Sequence, residues 1–433
     1  MPLISIAEAF SLILEKTPRA AISRIALNNA LGHYLAADIR ADRDWPPFHR
    51  SMVDGYAVFS TDTRAAPDVL ELIEEVPAGK TPARVIGPGQ TIKIMTGAPV
   101  PTGADAVVMR EQTEIPREGF VRIKAAAKPR QNVAPRASDA KTGEVLIRAG
   151  TLISPAEVGV LAAVGCADVP VRRLPSTAIL GTGDEIVEPH VNPGPAQIRN
   201  SNSHQLLAQC AANFIPARYL GIAPDDRAAT RKLIDEGLKS ELFISTGGVS
   251  VGDHDHVGAA FKELGVQIFF DKVAIKPGKP TTFGVWRRRD VETAGRGDAE
   301  TGRREETRSE DISASPCLPV TASCLVFGLP GNPVAAWVCF HLFVLTAARV
   351  HCGANDPLPR WHTLPLLDAT GGAGDRTTFR PCKLVLDNGV TKVKPIDWHG
   401  SGHLSALVGA DGLFVQNVGA DLLAGQGVTF YPV

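Results

Sequence analysis

Apolar positions recur along the chain with two different periods, and the change of period divides it. Ile6, Ala9, Phe10, Ile13 and Leu14 share one stripe of a 3.6-residue repeat behind Ser5 and Glu8, the polar pair of a capping box, so the spacing predicts an opening helix. The string "SPAEVGVLAAVG" predicts a second: Ser154 is placed to cap, Pro155 takes the first helical position, Glu157 follows three residues after the cap, and Gly165 stops the run. Between them, residues 46–135 hold short apolar runs such as "DAVVM" and "FVRIKA" among prolines and glycines, which predicts strands. A β-rich insertion over 46–135 leaves its flanks, 1–45 and 136–173, to form one discontinuous helical domain, because an inserted domain enters and leaves at neighbouring points.

From residue 174 the order is strand, glycine loop, helix, three times over: "STAIL" before "GTGDE", "ELFIS" before "TGGVSVGD", and "CLVFG" before "LPGNPVAAWVCFHLFV". Such units predict a doubly wound, parallel α/β sheet over 174–352, with the three loops gathered at one sheet edge. After 353, "KLVLDNGVTKVKPI", "GLFVQNV" and "GVTFYPV" read as short strands between turns, a small β domain over 353–433. One stretch interrupts the α/β pattern. From Arg287 to Asp311 there are seven basic and eight acidic residues and almost no apolar ones, so an insert over 287–316 is expected to be a disordered, solvated loop.

Composition changes this picture little. A chain of 433 residues predicts several domains. Its 45 basic residues balance 46 acidic ones, so bulk charge gives no reason to expect nucleic acid or a membrane surface as partner, and any anion site must be local. Seven cysteines, an odd number without a C-x-x-C pair, fit neither a disulfide framework nor a zinc knuckle. The N-terminus lacks a basic and apolar leader, and no uninterrupted apolar run approaches about 18 residues, so a cytoplasmic protein is expected.

The candidate chemistry lies in the loops. In "STGGVSVGDHDH", Gly247 and Gly248 can turn backbone N–H groups onto an anion and Ser250 adds a hydroxyl, which suits a phosphate. Asp253 and Asp255 are hard oxygen donors for a bridging magnesium ion. His254 and His256 suit zinc but lack a third ligand; the other reading leaves both facing solvent. Asp184 and Glu185 of "GTGDEI" could meet a ribose hydroxyl or a metal, or simply end a tight turn. Lys276 and Lys279 flank Pro277 and Gly278 in "AIKPGKPTTFG", where two ammonium groups repel unless an oxyanion such as phosphate or molybdate lies between them; a solvated surface turn is the alternative. In "LPGNPVAAW", Asn332 reads as a helix N-cap and Pro333 as the first helical residue. Asp54 and Thr96 stand beside glycines in turns of the insertion.

Six strings, "SMVDGYAV", "MTGAPVPTGADAVV", "GTGDEI", "STGGVSVGDHD", "KPGKP" and "LPGNPV", occur in that order over nearly the whole chain. Together they resemble the molybdopterin molybdenumtransferase family, the bacterial MoeA proteins and the gephyrin E domain. The resemblance implies an elongated homodimer of four-domain subunits: a helical piece, the insertion, an α/β domain like that of molybdopterin adenylyltransferases, and a C-terminal β-barrel. The active site would lie where the insertion of one subunit faces the α/β domain of the other. The implied activity converts adenylylated molybdopterin and molybdate into molybdenum cofactor with magnesium, releasing AMP. By the same resemblance Asp54, Thr96, Glu185, Asp255, Lys276, Lys279 and Asp139 are catalytic, and Glu185, Asp225 and Asp255 hold magnesium. Substrate contacts fall to Gly247, Gly248, Ser250, Lys272, Pro330, Pro333, Arg376 and Ser401. Molybdopterin adenylyltransferase and molybdoenzyme chaperones are the implied partners. Ala137 stands where relatives have glycine, and Ala335 where serine often follows "PGNPV". Two other readings are the adenylyltransferase itself and a non-catalytic scaffold; the retained acids and lysines favour insertion.

Overall fold

The computed structural model describes residues 1–77, 79–248, 256–288, 323–372 and 374–433. Ser250, Asp253, His254, Asp255 and the charged run beyond Arg288 lie outside the described residues.

Both expected N-terminal helices form with their capping boxes: α1 (Ile6–Lys16), where Ser5 Oγ accepts from the Glu8 N–H and Glu8 Oε2 accepts from the Ser5 N–H, and α2 (Pro155–Ala163), closed by Gly165 at φ +71°. The two helices do not share a core. Ala9 and Ile13 of α1 are buried against the α/β region, whereas Leu161 of α2 packs with Val169, Val171 and Ile153 in a small core of its own. The helical description of 1–45 with 136–173 therefore needs correction. Besides the helices, Ile22–Ala26, Asp168–Arg172 and Tyr34–Leu35 form an antiparallel sheet, and Val145–Ile147 pairs with Ile39–Arg40. The cause is a period-2 pattern in "DVPVR", whose two valines point inward.

Residues within 46–135 form a six-stranded sheet in the order Ala106–Met109, Gly55–Val58, Gln90–Ile94, Asp68–Val76, Phe120–Ile123, Thr113–Arg117. Its two faces carry separate cores: Tyr56, Val58, Val108 and Val121 lie on one, Ala57, Val107, Ile92 and Ile94 on the other.

Six strands make the α/β sheet: β1 (Thr177–Thr182), β2 (Ala217–Ala223), β3 (Leu242–Thr246), β4 (Gln267–Phe270), β5 (Thr282–Arg287) and β6 (Ser323–Leu329), ordered β2-β1-β3-β6-β5-β4. The expected parallel sheet holds for the first four in that order, but β5 runs antiparallel to both its neighbours, β6 and β4, so the sheet is mixed. Alternate residues of the buried strands serve opposite faces, Ile179 one and Ala178 with Leu180 the other. The first face is covered by α1, α3 (Asn202–Ala212), α6 (Pro333–Cys339) and α7 (Leu345–His351); the second by α4 (Arg227–Gly237) and α5 (His256–Glu263).

A single π-turn, Phe340–Val344, joins α6 to α7, making a continuous helical run from Pro333 to His351. At 19 residues and mean hydropathy 1.6 this run is long and apolar enough to cross a membrane, which amends the expectation from the sequence. It is instead the central core helix, with 83% of its most apolar window buried by the protein itself.

The last sheet runs Thr377–Asp387, Gly412–Gln416, Gly427–Pro432, His362–Pro365, with Val390–Pro395 on the outer side of the first. A Leu366–Val393 bridge closes the strands into a ring, with Leu367 N–H donating to Val393 O at 2.8 Å. Ile275–Lys276, a two-residue strand from the α/β region, pairs in parallel with Thr377–Thr378.

Candidate functional site

Because β1, β3 and β6 run parallel, the loops after Thr182, Thr246 and Leu329 all leave the same sheet edge. Two of them touch. Gly247 N–H donates to Leu329 O at 3.2 Å, and a Cβ built on Gly331 would stand 3.6 Å from Gly247 Cα. Gly247 has φ +88°, and a Cβ there would meet Thr182 Oγ1 at 2.8 Å, so glycine is required on both counts. Gly183, at φ +124°, lies beneath the Glu185 carboxylate, whose Oε2 would be 2.3 Å from an added Cβ. Asp184 Oδ1 accepts from the Asp225 N–H at 2.9 Å, tying the loop after β1 to that after β2.

A cavity of about 620 Å³ opens at this edge, with Glu185, Gly247, Pro330 and Pro333 on its walls. Asn200, Ser201 and Asn202, at the start of α3, line it too. Asn202 is buried and spends both amide hydrogens on the two loops, donating to Thr246 Oγ1 and to Gly331 O at 2.8 Å each. Asn200 donates to the Tyr219 hydroxyl, which donates onward to Glu188; burial and then Glu188 push that phenol well above its ordinary pKa. The sequence reading passed over this trio, because serine and asparagine before an apolar helix read as capping. Only the fold shows that Ser201 occupies the cap position without capping.

The lysine turn borders the same cavity through Pro280. It is not the freely solvated turn of the alternative reading. Gly278 is buried at φ +117° against α6, where a Cβ would fall 2.5 Å from Cys339 Sγ, and Thr281 Oγ1 donates to Gly278 O at 2.6 Å. Lys276 and Lys279 remain exposed on either side of this anchored centre. Arg376 comes to the turn from the last sheet and donates to Ile275 O at 3.3 Å. Beside it, Asp375 is held below the usual carboxylate range by Arg376 and, more weakly, by Lys279.

Gly402 and Leu404 close the remaining side, and Ser401 beside them is tied to the loop before α6. Its carbonyl accepts from the Val334 N–H at 3.1 Å and its hydroxyl accepts from Asn332 Nδ2 at 2.9 Å. Asn332 stands at the N-cap of α6 as expected, but its side chain does not cap; the first turn of α6 is satisfied by the Ser401 backbone instead.

Asp54 and Thr96 meet elsewhere, in the inserted sheet. The Thr96 N–H and hydroxyl both donate to Asp54 Oδ1 at 2.7 Å and hold its carboxyl below the usual range. Asp139 stands 3.7 Å from Arg50 Nη2 and accepts from Ser138 Oγ at 2.9 Å. Among the described residues, no hydrogen bond, ion pair or cavity joins Asp54, Thr96 or Asp139 to the cleft. Lys272 lines a different cavity of about 420 Å³, with Met1 and Asp271.

Three family models match the chain in order: the MoeA N-terminal region (domain I and II) at residues 4–165, a probable molybdopterin binding domain at 178–349, and the MoeA C-terminal region (domain IV) at 363–433. The molybdopterin molybdenumtransferase of Staphylococcus aureus strain Mu50 is 30% identical over 413 residues, 94% of this chain and 90% of that relative. The chain belongs to the MoeA family. The molybdopterin molybdenumtransferase of Bacillus subtilis strain 168 is 36% identical over 328 residues, covering 74% of this chain and 68% of its own. A crystal structure of the molybdopterin biosynthesis MoeA protein from Pyrococcus horikoshii OT3 superposes with a TM-score of 0.75 at 28% identity, covering all of both chains.

Family membership gives meaning to one departure. Ala137, where the resemblance implied a glycine, sits at φ +59°, a left-handed backbone that costs an alanine about 1 kcal/mol. As for a metal, the carboxylates Glu185 and Asp225 are hard donors suited to magnesium. Among the described residues no three His, Cys, Asp or Glu side chains converge, and Asp255, the third ligand implied by MoeA resemblance, lies outside them. The zinc reading gains nothing: His256 opens α5 and His254 is outside the described residues.

Proposed function

We propose that this chain inserts molybdenum into molybdopterin, taking adenylylated molybdopterin and molybdate and releasing AMP. The observation that supports it most is the convergence of three strand-end loops, the anchored lysine turn and the Ser401 loop on one cleft. Water breaks the phosphoanhydride, AMP leaves, and the pterin sulfurs take up molybdenum in exchange for molybdate oxygens. The protein's task is therefore positioning and charge neutralisation. The Gly248 N–H and the Ser201 hydroxyl suit the pyrophosphate, while Lys276, Lys279 and Arg376 neutralise the oxyanion with Ser401 at its rim. Glu185 and Asp225, with Asp255, would hold magnesium, which when bound would supply neutralisation of the phosphates.

Asp54, held by Thr96, and Asp139, beside Arg50, are ordered acids that among the described residues line none of the cavities above. A homodimer in which they face the partner's cleft gives them a substrate to act on. The reaction belongs in the cytoplasm, downstream of an adenylyltransferase and upstream of the chaperones that load molybdoenzymes. The test is incubation with adenylylated molybdopterin, molybdate and magnesium, following AMP and cofactor activity together. Release of both supports the proposal. ATP consumption with free molybdopterin points to the adenylyltransferase, and absence of any turnover points to a scaffold.

A further inference from the structure

Ser401 sits in a loop that carries its own fastening. The His403 N–H donates to Gly400 O at 3.0 Å, and the His399 N–H donates to His403 Nδ1 at 3.4 Å. A backbone amide can only donate, so Nδ1 of His403 is bare and its proton is on Nε2. The rings of His399 and His403 lie stacked, centroids 5.0 Å apart and planes 10° from parallel. Gly400 between them has φ +131°, so the loop depends on these contacts more than on backbone preference. Trp398 packs on the main core and fixes one end of the loop.

We propose that neutral His403 is a positioning residue that seats Ser401 on the first turn of α6, and that a proton on its imidazole unseats Ser401 and weakens oxyanion capture. This rests on the reading that the cleft takes molybdate beside Ser401. An imidazolium has no acceptor left for the His399 amide, and two charged rings at stacking distance repel. Besides each other, the pair has charges on two sides: Glu185 and Arg199 line the cavity shared with Gly402 and Leu404, the neighbours of His403. Asp397 Oδ2 lies 3.8 Å from His399 Nε2, and the same carboxylate faces Arg380. The neighbouring segments, α6 and the single helical turn Leu404–Leu407, carry no charged side chain.

The molybdate dependence of turnover, measured from about pH 5.5 to about pH 8.5, separates the roles. In His403→Asn the amide oxygen takes the place of Nδ1 and stays an acceptor at every pH; in His403→Gln it does not. The wild-type KM for molybdate should rise about fivefold towards acid with little change in kcat, the loss of one hydrogen bond. His403→Asn should stay flat at the alkaline wild-type value, and His403→Gln should show a raised KM throughout. Amide exchange at Val334 and His399, which needs no substrate, should quicken in acidic wild type relative to His403→Asn at the same pH. An acid rise retained in His403→Asn, or exchange that does not distinguish it from wild type, overturns the proposal. Exchange that behaves as expected beside an unmoved KM overturns the capture step, and places the fault in the molybdate reading of Ser401 rather than in the loop.

Discussion

At the edge of the α/β sheet, buried polar side chains are spent on scaffolding: Asn202 binds two loops together, Thr281 fastens the lysine turn, and Asn332 holds Ser401. What lines the cavity beside them is glycine backbone, proline, the Ser201 side chain and the charges of Glu185 and Arg199. At the base of the inserted sheet Thr96 turns inward onto Asp54 and Arg50 onto Asp139, with no cavity between them. The first region is a cavity edge built from loops; the second is a pair of ordered acids at the inserted sheet. Among the described residues nothing connects them within one chain.

The largest effect should come from emptying the cleft of charge. Lys276→Ala is expected to lower cofactor formation about a hundredfold while leaving the melting temperature unchanged, because its ammonium is exposed. A drop of less than about threefold would take molybdate away from the lysine turn. Next comes the pairing of the two regions. If each site draws Asp54 from one protomer and Lys276 from the other, mixing and refolding inactive Asp54→Ala with inactive Lys276→Ala chains should restore about a quarter of wild-type turnover, since half the dimers are mixed and each carries one intact site. No recovery would confine the site to one subunit.

A smaller effect is expected for Asn202→Ala, which strands Gly331 O and leaves Thr246 Oγ1 only its bond to Pro330 O. Chemical denaturation should report a loss of about 1 to 3 kcal/mol, and kcat should fall with it as the two loops part. The smallest belongs to the insertion's side. Ala137→Gly should stabilise the protein by about 0.5 to 1 kcal/mol, the left-handed strain less the glycine's extra freedom in the unfolded chain. Destabilisation instead would mean that the methyl group packs usefully.

A pH scan sharpens the same contrast. The Thr96 hydrogen bonds lower the Asp54 pKa in the folded state. Their stabilisation is therefore present above the unfolded carboxylate value, about 3.9, and is lost as pH falls through the lower folded value. Thr96→Val should move that loss towards less acid pH.

Much of the cleft was legible in the sequence because it is made of turns. Gly247, Gly183 and Gly278 announce positive φ wherever they stand, and the repeated strand–loop–helix order puts their loops on one edge. The scaffolding was not legible. Nothing in "RNSNSHQLL" distinguishes an asparagine that caps from one that crosses to two other loops, since both are short polar residues at a helix start. Nor does "KPGKP" reveal that its glycine is buried against a cysteine some sixty positions away. The strand–loop–helix order found the buried parallel strands but not the reversed direction of β5, because an antiparallel strand with both faces covered reads like a parallel one. The helical reading of the first piece failed because it weighed the two capped helices and passed over the five-residue period-2 pattern of "DVPVR".

The pairing of Ile275–Lys276 with Thr377–Thr378 means that the lysine turn belongs to two folding units at once. No clean cut separates the terminal ring from the catalytic body. A chimera that borrowed its last eighty or so residues from a relative would exchange the edge on which Lys276 is hung, and so would inherit part of the donor's taste in metal oxyanions along with the donor's sheet.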